Sequence, residues 1–225
     1  MPEETTAING PTAAPVTKPR LRGISHLVAF ATTLLAGGAL IATAPPGAVL
    51  VSAVYVLGIL ALFGVSALYH VPTWSPRRRK LLRRCDHSAI FLAIAGTYTP
   101  IAALAVGAPL GTVVLSIVWL GAAAGIFVKF RWIDAPKWAQ ALPYVALGWV
   151  AVAVIPELLA SMGGGGVTLL LAGGVLYTVG ALVYARRWPD PAPRTFGYHE
   201  VFHALVIAAV ACHFAVVAIY AVPLA

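Results

Sequence analysis

The basic residues of this chain occur in only a few places. All 15 Lys and Arg residues lie within the first 22 positions or in three downstream clusters, at 77–84, 129–137 and 186–194. No Lys or Arg occurs in the alternate connections between apolar runs, at 44–47, 106–109 and 160–166. Basic residues concentrate on the cytoplasmic side of membrane proteins. The pattern therefore predicts an odd number of membrane spans, with the N-terminus in the cytoplasm and the C-terminus outside.

Composition agrees with a membrane protein and excludes a water-soluble domain. Hydrophobic residues make up 60% of the chain and charged residues 10%, and the mean hydropathy is +0.90. The formal charge of +8 comes from residues beside the apolar runs, where they are held by the anionic cytoplasmic surface. We therefore predict no nucleic-acid partner. Cys85 and Cys212 fall near the inner face and inside the last run, so no structural disulfide is expected.

Apolar runs suggest the number of helices. Seven runs, each near the roughly 20 residues that cross a bilayer, lie at about 24–43, 48–71, 86–105, 110–128, 139–159, 167–185 and 199–221. We predict an all-α integral membrane protein of the cell membrane, with seven transmembrane helices in a domain spanning 22–225. Residues 1–21, rich in Thr, Ala and Pro, are predicted to be a disordered cytoplasmic tail.

Several ionisable residues share one predicted depth. His70 closes the second run, Asp86 opens the third, and His199, Glu200 and His203 open the seventh. The predicted topology places all of these run ends at the cytoplasmic side. Because ionisable groups inside a membrane are costly, their convergence at one depth indicates a functional site.

The residue types and spacing favour a metal site. His199 and His203 are four apart, so they lie on one face of a helix. With His70 and a carboxylate from Asp86, they form a donor set that suits tetrahedral Zn²⁺. Ser66 lies one turn from His70. A water bound to Zn²⁺ reaches a pKa of about 7 and is a nucleophile at neutral pH.

Structural interpretations of the same residues remain open. Asp86 can be the N-cap of the third helix, and His70 can lie at the interface near a helix end. The pair His199 and His203 can be hydrogen-bonded core residues. Each of these readings is reasonable for a residue taken alone, but the shared depth of the residues favours a metal site.

The remaining histidines are placed differently. We expect His26 at the interface or beside the site, not as a ligand. His87 points about 100° away from Asp86 on a helix, so we do not expect it to share the site. His213 lies about 21 Å beyond His199 along a helix and is expected to be a buried hydrogen-bonding residue. Glu157, near the outer end of the fifth run, has no predicted partner.

The segment from His199 to His203 also reads as HExxH, the zinc-protease pattern in which the glutamate is a general base. Glu200 is offset by about 100° from His199. It either borders the metal-bound water or faces the interface, and the residues do not decide between the two.

Three segments resemble a known family. Ser66 to His70, Asp86 to Pro100 and Gly197 to His203 resemble the bacterial hemolysin III proteins, which belong to the superfamily of progestin and adipoQ receptors. The resemblance covers the chain from about residue 22 to its end. It implies a seven-helix fold with the N-terminus inside.

The resemblance also implies a role for each site residue. His70, His199 and His203 correspond to zinc ligands near the cytoplasmic face. Asp86 corresponds to the residue that holds the water, and Ser66 to one that supports the site. The adiponectin receptors have Gln where this chain has Glu200, so zinc binding is not expected to need that glutamate.

Three classes of function follow from these expectations. The first is a zinc-dependent hydrolase of membrane lipid amides or esters, similar to the ceramidase activity of the receptor relatives, with Asp86 or Glu200 as the base. The second is a sensor or regulator of membrane state with structural zinc. The third is the pore-forming cytolysin that the family name implies, although the runs show no polar stripe that would line a channel.

Overall fold

The computed structural model describes residues 18–225, so most of the predicted tail at 1–21 lies outside the described residues. Across residues 18–225 the chain is helical and contains no β-strand. The helices are α1 (Ile24–Thr43), α2 (Val49–His70), α3 (Pro76–Pro100), α4 (Leu110–Arg131), α5 (Lys137–Gly148), α6 (Ile155–Arg186) and α7 (Tyr198–Ala215). The predicted all-α class is confirmed.

Irregular helical turns extend several of these helices. A π-helical segment, Ile101–Val106, follows Pro100, and a 3₁₀ segment, Trp149–Val154, joins α5 to α6. At the second of these, the Tyr98 hydroxyl donates to the Gly148 carbonyl at 2.8 Å and accepts from the Ala151 amide at 2.7 Å. Such partners are needed because backbone groups inside a membrane have no water to bind.

Six helical segments within residues 18–225 are long and apolar enough to cross a membrane. They are Ile24–Thr43, Pro46–His70, Pro76–Val106, Leu110–Arg131, Lys137–Arg186 and Tyr198–Leu224. The sequence predicted seven. The two numbers differ because the fifth and sixth predicted runs lie together in the 50-residue segment Lys137–Arg186.

That long segment is interrupted and folds back. Gly163 has a non-helical backbone conformation, with φ 66° and ψ −179°. A straight helix of this length would extend about 75 Å, far beyond a hydrocarbon core of about 30 Å. Instead, Lys137 Nζ lies 4.4 Å from the centroid of the Tyr184 ring. The beginning and the end of the segment are therefore in contact.

Large apolar side chains cover the outside of the helices as well as their interior. Leu35 is 79% exposed, Leu50 74% and Leu120 71%. An exposed apolar surface of this kind would be unfavourable in water, but it is the surface that lipid contacts. The chain is a multi-pass membrane protein of the cell membrane, as predicted.

Helices α2 and α3 pack closely because glycines face the neighbouring backbone. A Cβ atom on Gly58 would lie 2.8 Å from the Leu92 carbonyl oxygen, and one on Gly96 would lie 3.1 Å from that of Val54. Small residues at such positions allow the backbones of membrane helices to approach. This contact brings the end of α2 close to the first half of α3, where Asp86 lies.

Helix α3 begins earlier than the sequence predicted. It starts at Pro76, ten residues before Asp86. Proline is favoured at the first helical position, and the following Arg, Lys and Leu residues are good helix formers. The basic cluster at 77–84 therefore belongs to a helix rather than to a loop. Asp86 lies inside this helix, so its interpretation as an N-cap is wrong.

The segment before α1 is tied to the loop between α6 and α7. The amide of Arg20 donates to the Arg194 carbonyl at 3.1 Å, and that of Leu21 to the Thr195 carbonyl at 3.2 Å. Lys18 Nζ donates to the backbone carbonyl of Val71, just after α2, at 2.8 Å. Residues 18–21 thus make defined contacts, whereas the sequence assigned them to a disordered tail.

Candidate metal centre

Three histidine side chains meet where α2 ends and α7 begins. His70 is the last residue of α2, and His199 and His203 lie in the first turns of α7. Each offers one ring nitrogen, and these nitrogens all lie within 4.8 Å of one another. The prediction that the three residues come together is confirmed, and together they can hold a metal ion.

One of these separations matches a single tetrahedral ion. Nε2 of His70 and Nε2 of His199 are 3.2 Å apart. Metal–nitrogen bonds of about 2.0–2.1 Å place two nitrogens of a tetrahedron roughly 3.3 Å apart. In addition, Nδ1 of the buried His203 has no hydrogen-bond partner among the described residues. A buried polar atom without a partner indicates a missing ligand, ion or water.

Asp86 and Ser66 border this triad, as the sequence predicted. Oδ2 of Asp86 lies 3.8 Å from Nε2 of His70. That separation is too long for a direct hydrogen bond but is suitable for two groups that share an ion or a water. The Ser66 hydroxyl lies beside the Asp86 carboxylate, and its residue is 2% exposed. A carboxylate and a hydroxyl therefore face the site from α3 and α2.

Glu200 makes contacts away from the triad. One carboxylate oxygen accepts from the Arg22 guanidinium, and the other accepts from the Gly197 amide at 2.8 Å. The second contact caps the first turn of α7, where backbone amides lack partners. Both oxygens are thus occupied by a cation and an amide, which favours a structural role. The role of Glu200 as a general base stays a prediction of the HExxH pattern.

His26 is packed directly against the triad. Its ring stacks on that of His203 with 3.8 Å between centroids and 7° between planes, and its edge meets Phe63. His26 is 2% exposed, and it fixes one face of the His203 ring. The sequence placed His26 only at the interface or beside the site. The sequence signal for this contact is that His26 lies near the start of α1, at the same predicted depth as the triad.

The other ionisable residues are distributed along the bundle. Nε2 of His213 lies 3.1 Å from the Leu170 carbonyl oxygen, consistent with the predicted buried hydrogen bond. Oε2 of Glu157 is buried, with no hydrogen-bond partner in the part of the chain that is described. His87 is not among the residues whose ring nitrogens meet at the triad, but it lines the same cavity as Asp86.

A largely apolar cavity lies beside the triad and is lined by His199 and His203, but not by His70. Its volume is about 130 Å³, room for roughly four waters. It is bordered at one end by Asp86 and His199 and further along by His213. Two of its lining residues, His199 and His213, lie about 21 Å apart along α7. Between these ends the wall is mainly aliphatic and aromatic, including Ile90, Ile94, Tyr144, Trp149, Phe202 and Val206.

Sequence comparison identifies bacterial relatives over most of the chain. A family model described as haemolysin-III related matches residues 15–214. Hemolysin-3 of Bacillus cereus is 36% identical over 178 residues, which cover 79% of this chain and 78% of that protein. The hemolysin-3 homolog of Bacillus subtilis (strain 168) is 32% identical over 170 residues, which cover 75% of this chain and 76% of that protein.

A more distant similarity extends to animals. The human monocyte to macrophage differentiation factor is 26% identical over 165 residues, which cover 72% of this chain and 66% of that protein. The family match spans the helices that carry His70, Asp86, His199 and His203, and the resemblance seen in those segments is thereby confirmed. This chain belongs to the haemolysin-III-related family of membrane proteins.

Proposed function

We propose that this protein is a zinc-dependent hydrolase of membrane lipid amides or esters. The observation that carries the proposal is the position of the histidine triad beside a largely apolar cavity. A metal that only stabilises the bundle has no need of such a cavity. A hydrolase needs one to hold the apolar part of a lipid beside the reacting carbonyl.

The proposal includes seven membrane crossings, with the N-terminus in the cytoplasm and the C-terminus outside. Supporting it, the contact of Lys137 with Tyr184 joins the two ends of the 50-residue segment. A segment that leaves one side of the membrane and returns to it crosses the membrane twice. The side that carries the basic residues is assigned to the cytoplasm. In this arrangement the triad lies near the inner leaflet.

The proposed roles follow from the donor types. His70, His199 and His203 hold the ion, and three imidazoles with an oxygen ligand suit Zn²⁺. Bound Zn²⁺ acts as a Lewis acid on a carbonyl and makes water nucleophilic at neutral pH. Asp86, 3.8 Å from His70, orients the attacking water, accepts its proton and returns that proton to the leaving group. Ser66 orients the Asp86 carboxylate.

The test combines metal analysis with lipid hydrolysis for the wild type and Asp86→Asn. The variant is expected to keep its zinc, because three imidazoles remain. It is expected to lose roughly 10²–10⁴-fold in turnover, the scale for removing a general base. Asp134→Asn is the matched control, since Asp134 is an exposed carboxylate whose partner is Arg83. This control should keep full activity.

Two results would contradict the proposal. One is the absence of hydrolysis by zinc-loaded wild type across a broad panel of lipid amides and esters, which would favour a sensor with structural zinc. The other is equal turnover by Asp86→Asn and the wild type. Loss of activity only in Glu200→Gln would move the base to α7, as the HExxH pattern implies.

A further inference from the structure

His87 is a buried polar side chain that the proposed reaction leaves unused. It lies on α3 next to Asp86, is 9% exposed and lines the cavity. Its Nδ1 is buried and has no hydrogen-bond partner within residues 18–225. The main chain at this position is well fixed, because the Tyr144 hydroxyl donates to the His87 carbonyl at 3.0 Å. Nδ1 of the imidazole is therefore left without a partner.

An unpaired ring nitrogen at this position is unfavourable in the absence of a ligand. Leaving a buried donor or acceptor unsatisfied costs about 1–3 kcal/mol, and most buried polar side-chain atoms have a partner. An apolar side chain of similar shape would avoid this cost. The presence of histidine is explained if a bound molecule supplies the missing hydrogen bond.

Tyr184 adds a second polar group to the same wall. Its ring centroid lies 6.3 Å from that of His87 and 5.9 Å from that of His199, and it also lines the cavity. The Tyr184 ring is held in place by Phe202, at 5.3 Å between centroids, and by Lys137 Nζ, at 4.4 Å. The Tyr184 ring thus lies next to both His87 and His199, one member of the triad.

We propose that His87 and Tyr184 form a hydrogen-bonding subsite for a neutral hydroxyl group that the lipid carries close to its amide or ester bond. The inference rests on the proposed function and specifies its substrate class. A neutral imidazole offers one donor and one acceptor, and a phenol offers both. A hydroxyl group is their natural complement. A charged group is disfavoured because an ion is costly to bury in a largely apolar cavity.

The test compares two lipids that differ only in this hydroxyl group. N-Palmitoylethanolamine carries it, and N-ethylpalmitamide does not. Binding of each to zinc-loaded protein in nanodiscs is measured for the wild type, His87→Phe and Tyr184→Phe, and mass spectrometry monitors any hydrolysis. Phenylalanine keeps a ring at each position but removes the polar atoms. Tyr220→Phe, the same loss of a phenol hydroxyl at a residue outside the lining of this cavity, is the control.

The wild type and Tyr220→Phe are expected to bind the hydroxyl lipid roughly 3–10-fold more tightly than N-ethylpalmitamide, the net value of one hydrogen bond. His87→Phe should abolish that preference while keeping zinc and without lowering the Tm of the lipid-free protein. An unchanged preference in His87→Phe would overturn the proposal, as would a wild type without preference or without binding. Preference without hydrolysis would contradict the hydrolase alone.

Discussion

The contact between Arg22 and Glu200 gives a prediction that can be worked out from burial. The Glu200 side chain is 2% exposed, whereas that of Arg22 is 21% exposed. Removing one partner of a buried ion pair costs about 3–5 kcal/mol, mainly because the other charge remains buried and unpaired. The two residues should therefore not respond equally to substitution.

Arg22→Ala leaves the Glu200 carboxylate buried with only the Gly197 amide as a partner. We expect it to destabilise the protein by about 3 kcal/mol or more. Glu200→Gln leaves no buried carboxylate, and the partly exposed Arg22 can turn towards water, so a cost of about 1 kcal/mol is expected, similar to the loss of one hydrogen bond. The double variant should be more stable than Arg22→Ala alone, because the unpaired charge is gone.

The assay is denaturant or thermal unfolding of the four proteins in the same detergent, with zinc content measured in parallel. Arg22→Ala is also expected to lower zinc occupancy, because the first turn of α7 carries His199 and His203. Additive losses in the double variant would refute the reasoning. So would an Arg22→Ala variant as stable as the wild type.

Three further results are expected. Gly23→Ala should lower both Tm and zinc content, because Gly23 has φ 83° and its added Cβ would lie 2.6 Å from Cβ of His70. Gly38→Ala is the control and should lower neither, because its added Cβ would have no atom within 4 Å. Equal behaviour of the two variants would contradict this prediction. A reporter fused after Ala225 should be outside the cytoplasm and one inserted at 77–80 inside, and finding both on one side would exclude seven crossings. Removing metal with a chelator should lower the Tm, because binding to the folded state alone is stabilising, and His70→Ala should remove this response.

The part of the site that was predictable depends on local spacing and charge. His199 and His203 are one helical turn apart in any helix, and the segregation of Lys and Arg places His70 and Asp86 at their depth. Those two arguments need no knowledge of packing. They are sufficient to predict that the triad and Asp86 lie at one depth of the membrane.

What was missed depends on contacts between distant segments. The partner of Glu200 is Arg22, 178 residues away in sequence, and it reaches Glu200 because residues 20–21 pair with the α6–α7 loop. The stacking of His26 on His203 likewise depends on how α1 packs against α7. None of these follows from periodicity or composition.

The start of α3 shows a different limitation. Hydropathy marks where an apolar run begins, at about 86, but a helix can extend into polar residues beyond the membrane. Pro76 and the helix-forming residues after it were the relevant local signals. These signals predict a helix that begins before Asp86, in which Asp86 cannot be the N-cap.

The central claim is that the triad holds zinc, and metal analysis of the purified protein tests it most directly. We predict about one zinc per chain in the wild type, bound through three imidazoles. The double variant His199→Ala/His203→Ala should lose the metal, while His213→Ala, a histidine about 21 Å from His199 along α7, should keep it. Full zinc content in the double variant, or a wild type that binds no zinc when supplied with it, would contradict the claim.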